Sequence, residues 1–250
     1  MDAASDCCRW PLPPNHLTLK ANDVHVWCAP LDPSDAVFQE LRNLLARDES
    51  EKASRFYFET DRRHFTVAHG FLRKLLGDYL GIAPQDIRFS QSEYGKPSLV
   101  ESINHLDLSF NLAHSGKLVL YALTLNRRIG VDLEYVRPEF TTNEIARRYF
   151  SPLEVAELDK LPANLRHHAF FTCWTRKEAF IKAMGIGLSL PLDQFDVTIH
   201  PAEPAALLHT HWNHEEASRW SLQTLDAGPG YAAAVASEGH EWQLSTWSLQ

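Results

Sequence analysis

Two acidic residues lie one residue apart in Ile129-Gly130-Val131-Asp132-Leu133-Glu134-Tyr135-Val136. The two-residue period of a strand puts Val131 and Leu133 on one face and Asp132 and Glu134 together on the other. Carboxylates held that close repel, and one is driven toward protonation unless a cation lies between them. Oxygen-only ligands suit a hard ion such as Mg²⁺. A strand with one solvated acidic face has the same pattern. A third acid, Glu178, stands one helical turn before Lys182 in Phe170-Phe171-Thr172-Cys173-Trp174-Thr175-Arg176-Lys177-Glu178-Ala179-Phe180-Ile181-Lys182-Ala183-Met184, so these two side chains leave the same side of a helix. An exposed ion pair has that spacing as well. Phosphoryl chemistry asks for metal-held oxygens on the anion, a cation for the leaving-group charge, and a carboxylate that can take a proton from the nucleophile. Asp132, Glu134, Glu178 and Lys182 fill those roles.

The elements that must position these side chains follow from hydrophobic period. Val24, Val26 and Cys28 alternate with His25 and Trp27, the pattern of a half-buried strand. Asp61 is placed to cap a long helix from Arg62 to about Leu80, with an apolar stripe through Phe65, Ala68, Phe71 or Leu72, Leu75, Leu76 and Tyr79, and Gly81 ends it. Beyond the Gly95-Lys96-Pro97 turn, Leu106 to Leu112 and Leu118 to Leu125 read as strands. From Gly130 the plan repeats, because Arg63-His64 with Arg73-Lys74 matches Arg166-His167 with Arg176-Lys177, and Phe71 answers Trp174. Gly185 and Gly187 stop the second long helix and Pro191 fixes the return of the chain. Later strands are read at Phe195 to Ile199, Trp220 to Leu225, Tyr231 to Ala236 and Trp242 to Leu249. This order predicts an α+β fold, a pseudo-twofold arrangement of two similar α/β halves: a loose tail over 1–20, an N-terminal half over 21–126, and a C-terminal half over 127–250 that carries the metal site.

With 44% hydrophobic and 11% aromatic residues, 250 residues bury a substantial core. The net charge of −8 argues against a nucleic-acid partner, which would need positive charge to displace counterions. Basic pairs at Arg62-Arg63, Arg73-Lys74, Arg127-Arg128 and Arg147-Arg148 are either solvated helix charge or the makings of a small-anion site. Cys7, Cys8, Cys28 and Cys173 have no metal-ligand spacing and read as reduced thiols. The start carries acids rather than a basic leader, and no apolar run approaches the roughly 20 residues of a membrane span, so a cytoplasmic protein without a membrane partner is expected. His209, His211 and His214 read as a polar loop rather than a zinc site. Neither a nucleophile elbow nor a phosphate loop occurs.

Gly130-Val131-Asp132-Leu133-Glu134, followed by Trp174-x-x-Lys177-Glu178-Ala179-x-x-Lys182-x-x-Gly185-x-Gly187-Leu188, resembles the signature pair of the 4′-phosphopantetheinyl transferases, of the long, surfactin-synthetase-activating (Sfp) type. Gly95-Lys96-Pro97, Phe110-Asn111-Leu112-x-His114-Ser115, Phe150-Ser151-x-x-Glu154 and Pro191-Leu192-x-x-Phe195-x-Val197 extend the likeness, which runs from about Glu49 to His200. The resemblance implies transfer of the phosphopantetheine arm of coenzyme A to a serine of an acyl, peptidyl or aryl carrier protein, with release of adenosine 3′,5′-bisphosphate. It also implies a monomer with coenzyme A and Mg²⁺, for which Mn²⁺ would substitute, bound between the halves. Asp132, Glu134 and Glu178 would then ligate the metal, Glu178 would double as the base, and Lys182 would steady the pyrophosphate and the leaving phosphate. Lys177 matches a position near the phosphates, Lys96 one near the nucleotide, and His114 and Lys52 positions at the 3′-phosphate. Arg63 joins them because the equivalent helix start is commonly basic. The family's usual serine before the histidine is Ala113 here, which predicts weaker coenzyme A binding. Glu154 matches a family glutamate, but Ser151-Pro152-Leu153-Glu154 is also a capping box, and both readings stand. The rival readings are a Mg²⁺-dependent nuclease and a binding module that has lost turnover.

Overall fold

The structure is a computed structural model that describes residues 10–14 and 17–249. β1 (Asp23–Pro30) leads into α1 (Asp35–Leu44), α2 (Arg47–Ser54) and the 22-residue α3 (Glu59–Leu80). A small hairpin, β2 (Phe89–Gln91) with β3 (Pro97–Leu99), precedes a longer one, β4 (Leu108–Ser115) with β5 (Leu118–Leu125). The chain then repeats itself with β6 (Ile129–Tyr135), α4 (Asn143–Tyr149), α5 (Pro152–Lys160) and α6 (Ala163–Met184), again 22 residues. The hairpin of β7 (Phe195–Val197) and β8 (Leu207–Thr210) is followed by β9 (Trp220–Thr224), β10 (Tyr231–Glu238) and β11 (Gln243–Ser248).

Pairing makes the repeat explicit. In the first half β1 runs antiparallel to β5 and β5 to β4; in the second, β6 runs antiparallel to β10 and β10 to β9. This is the α+β arrangement of two similar halves expected from the sequence. The two long helices end alike, on Gly81 at φ +66° and Gly185 at φ +73°, a left-handed cap that costs glycine little. Aligning those glycines places Arg73 on Lys177, so the expected match of Arg73 with Arg176 is off by one residue. Asp61 is not the cap of α3: the helix begins at Glu59, and Glu59 and Asp61 sit in its first turn, where the helix dipole favours acids.

Side chains stack in four layers: α3, the first sheet, the second sheet and α6. Val67, Phe71, Leu72 and Leu76 of α3 pack on Trp27, Phe110 and Tyr121 of the first sheet. Between the sheets lie Val24, Val26, Cys28, Ala113, Leu118 and Leu120 from one side and Ile129, Val131, Leu133 and Val235 from the other. β1 is therefore buried on both faces rather than one, and His25, only 3% exposed, meets Tyr79 Oη at 2.7 Å.

Two boundaries differ from expectation. β11 returns to pair parallel with β1, so residues 243–248 complete the first sheet and do not belong with the rest of 127–250. The reason is the edge of β1, a row of backbone donors and acceptors that needs a partner. Nor is 1–20 uniformly loose. Trp10 Nε1 donates to the Asp226 carbonyl at 2.6 Å, Ser248 donates to the carbonyls of Trp10 and Pro11, and Leu19 is buried; residues 1–9, 15 and 16 lie outside the described residues. Cys173 is a free, buried thiol. Cys28 is disulfide-bonded, which corrects the expectation of reduced thiols at that position; Cys7 and Cys8 also lie outside the described residues.

Candidate active site

Gly130 sets the geometry of the site. A β-carbon there would lie 2.1 Å from the Ala179 carbonyl oxygen and 2.3 Å from the Ala183 amide nitrogen, so the backbones of β6 and α6 touch where only glycine fits. Around that contact α6 rests on Ala232, Ala234 and Ala236 of β10. Under α3 the sheet instead presents Trp27, Phe110 and Tyr121. The close crossing lays Glu178 and Lys182, neighbours of Ala179 and Ala183, against the face of β6 that carries Asp132 and Glu134. Lys182 Nζ is 2.6 Å from Asp132 Oδ1. Asp132 is 4% exposed, and its Oδ2 is buried without a hydrogen-bond partner. Glu134 Oε2 accepts from Ser115 Oγ at 2.9 Å.

Electrostatics follow from that burial. Desolvation pushes the Asp132 carboxyl up to about 7, Lys182 pulls it back, and Glu178 and Glu134 add to the rise. Glu178 is raised mainly by burial, with Lys182 opposing and Glu134 adding. For Lys182 burial acts downward, but Asp132, Glu178 and Glu134 together hold the ammonium above its ordinary value. Three acids thus share one cation. Among the described residues no group of three His, Cys, Asp or Glu side chains stands at metal-ligand spacing, and the charge facing the acids is the Lys182 ammonium. The donor set still fits a hard divalent ion: it is all carboxylate oxygen, and the buried, unpartnered Oδ2 of Asp132 is costly to leave without a cation or donor.

A second cluster is basic. His114 is exposed at the end of β4, yet partial desolvation and then the positive charges of His64, Lys182 and His69 hold its imidazole below the usual range. Lys52 Nζ lies 5.2 Å from the centre of the Phe65 ring, and that ring stacks on His69 at 4.0 Å. His64 and His69 therefore lie near His114, and Lys52 reaches this group only through Phe65. That His64 and His69 approach His114 was not legible, because on a helix their spacing reads only as part of a polar flank.

Comparison with known proteins settles the family. A family model described as "4'-phosphopantetheinyl transferase superfamily" matches residues 128–236, and one described as "4'-phosphopantetheinyl transferase, N-terminal" matches residues 30–126. The chain is 41% identical over 237 residues to 4'-phosphopantetheinyl transferase HetI of Nostoc sp., across 95% of this chain and 96% of that protein. The chain belongs to the 4′-phosphopantetheinyl transferase superfamily. It is also 32% identical over 199 residues to 4'-phosphopantetheinyl transferase Sfp of Bacillus subtilis, across 80% of this chain and 84% of that one.

Three residues assigned to the substrate by resemblance are engaged elsewhere in this phosphopantetheinyl transferase. Lys177 is fully buried, with Nζ 2.8 Å from Glu154 Oε2, 2.7 Å from the Leu192 carbonyl and bonded to the Phe195 carbonyl. It is not brought to the acids, because the residue beside Glu178 points about 100° around the helix. Arg63 Nη2 donates to Asp35 Oδ1 at 3.1 Å and to the Pro33 carbonyl at 3.0 Å, and its guanidinium stacks on Phe38; it ties α3 to α1 instead of facing a phosphate. Lys96 Nζ donates to the carbonyls of Ile129 at 2.8 Å and Ala183 at 3.4 Å, so it braces β6 against the end of α6. Burial and then Arg128 lower its ammonium to about 8.

Glu154 takes the capping role. It accepts from Ser151 N at 2.9 Å and Val197 N at 2.8 Å, pairs with Lys177 and is 2% exposed. Ala113, 5% exposed, faces the layer between the sheets, on the side of β4 opposite His114. A hydroxyl at that position would meet the edge of β6 and not a group beside the histidine.

Proposed function

We propose that this transferase moves the 4′-phosphopantetheine arm of coenzyme A to a serine hydroxyl of an acyl, peptidyl or aryl carrier protein, releases adenosine 3′,5′-bisphosphate, and acts as a cytoplasmic monomer with Mg²⁺ held by Asp132, Glu134 and Glu178. The observation that carries the reading is the set of three carboxylates around Lys182, with Asp132 Oδ2 buried and unpartnered. When bound, a divalent ion supplies charge neutralisation on the pyrophosphate.

The chain's own residues supply the rest. Glu178, raised by burial, is a stronger base than an exposed glutamate and takes the serine proton as the serine oxygen bonds to the phosphorus that carries the arm. The bond from that phosphorus to the bridging oxygen breaks, and the oxygen leaves with the bisphosphate. Lys182, held as an ammonium by its acidic neighbours, donates to the departing phosphate. Lys52 offers positive charge for the 3′-phosphate, and His114 offers a ring N–H as a hydrogen-bond donor. Beside Glu134 a cavity of about 270 Å³ is lined by Arg137, Phe140, Ile145, Tyr149, Phe170, Phe171 and Trp174, and its largely apolar wall suits the methylene and dimethyl groups between the amides of the arm. No described helix is long and apolar enough to cross a membrane.

Intact-mass measurement of apo carrier proteins incubated with coenzyme A, Mg²⁺ and the purified protein tests the reading. It expects one added phosphopantetheine per carrier, lost in Glu178→Gln. No addition on any of several carriers would overturn it.

A further inference from the structure

The edge of β6 that faces away from β10 is pinned by side chains of β4. Val131 N donates to Asn111 Oδ1 at 2.9 Å and Tyr135 N donates to Ser115 Oγ at 3.0 Å, and Asn111 and Ser115 share one face of their strand. The two pins differ in what they do besides. Ser115 also donates its hydroxyl to Glu134 Oε2 at 2.9 Å, so one oxygen accepts from the backbone of β6 and donates to the carboxylate beside it.

Each of the other two acids is held within the second half. Asp132 is buried and bonded to Lys182, and Glu178 rides on α6, which Gly130 fixes against β6. Glu134 lacks such a constraint: it stands near the end of β6 and is partly exposed. Its one side-chain hydrogen bond among the described residues comes from the other half of the molecule.

We infer that Ser115 is the positioning residue for Glu134. The N-terminal half thereby sets the affinity of a metal site whose ligands all come from the C-terminal half. This rests on the reading that Asp132, Glu134 and Glu178 bind a divalent cation. Ser115 contributes no ligand; it selects the orientation in which Glu134 offers its free oxygen to the ion.

Mn²⁺ binding to the full-length protein without coenzyme A, read by the electron paramagnetic resonance signal of free Mn²⁺, tests the inference. Ser115→Ala should weaken Mn²⁺ binding about tenfold, the low end of what losing an outer-sphere partner costs. Ser115→Thr, which keeps the hydroxyl, should restore it. Asn111→Ala removes the other pin and should lower the melting temperature while leaving Mn²⁺ affinity as it was. A lowered melting temperature in Ser115→Ala with unchanged Mn²⁺ affinity would reduce Ser115 to a structural pin and overturn the inference. Should Ser115→Ala fail to fold, Ser115→Cys, a weaker donor of similar size, carries the same comparison. Glu134→Gln separates the two levels of failure. If it binds Mn²⁺ like the wild type, the ligand reading is wrong; if it binds weakly while Ser115→Ala does not, the positioning role alone is wrong.

Discussion

Arg73 and Lys177 occupy the same position in the two halves, at equal distance before the left-handed glycine that ends each long helix. Each pairs with a buried glutamate from the short helix before it, Glu49 for Arg73 and Glu154 for Lys177, and each glutamate also caps its own helix. Each cation further donates to two carbonyls of the returning chain, Pro84 and Ile87 in one half, Leu192 and Phe195 in the other. The duplication thus extends to a polar clamp that locks short helix, long helix and return loop together.

That equivalence makes Lys177 a stabilising residue. Lys177→Met leaves Glu154 buried without its cation, which should cost about 3–5 kcal/mol, read by urea denaturation. The Michaelis constant for coenzyme A in the folded fraction should barely change. A variant of normal stability with a much larger Michaelis constant would return Lys177 to the phosphates.

Gly130→Ala should be more damaging to catalysis than its size suggests. The added methyl must push α6 off β6 and separate Lys182 and Glu178 from Asp132. Misplacement on the order of 1 Å costs roughly a hundredfold in rate, measurable as the initial rate of carrier modification. A rate within a few-fold of wild type would show that the crossing has slack.

The pH dependence follows from Asp132, whose carboxyl lies at about 7 against an ordinary 3.8. Its folded value is the higher one, so the folded state holds a proton that the unfolded chain releases. The resulting stability is full below pH 4, is lost as pH rises to about 7, and does not fall further beyond. A divalent ion needs the ionised form, so its affinity should rise about tenfold per pH unit up to about 7 and then level off. Calorimetric titration with Mg²⁺ across that range checks this; a flat profile would mean that Asp132 is already ionised.

Ala113→Ser should leave coenzyme A binding nearly unchanged. The position lies between Asn111 and Ser115 on β4, facing the backbone of β6 at Leu133, where a new hydroxyl would shift stability by no more than about 1 kcal/mol. Clear tightening of coenzyme A in a direct binding assay would instead support a phosphate contact for that hydroxyl.

Periodicity made much of this legible in advance. β5 matches the expected Leu118–Leu125, and the pairing of Asp132 with Glu134 on one strand face and Glu178 with Lys182 on one helix face needs only the repeats of 2 and 3.6. Partner choice was not legible. Nothing in a run such as Arg176-Lys177-Glu178 tells which charge faces the acids and which enters the core, because a step of one residue turns the helix by about 100°. The same blindness shifted the alignment of the halves by one residue, since Arg73-Lys74 and Arg176-Lys177 match in composition but not in environment. Ser115 escaped for a different reason: its role depends on two strand edges meeting across the halves, and neither strand's own pattern records that.

β11 gives the molecule an order of assembly. Because the strand that covers β1 follows every other described strand in sequence, that edge stays open on a growing polypeptide until Gln243–Ser248 have left the ribosome. The half made first is therefore completed only after the second half has been made, and a chain that stops short of these residues exposes an unpaired strand to its neighbours.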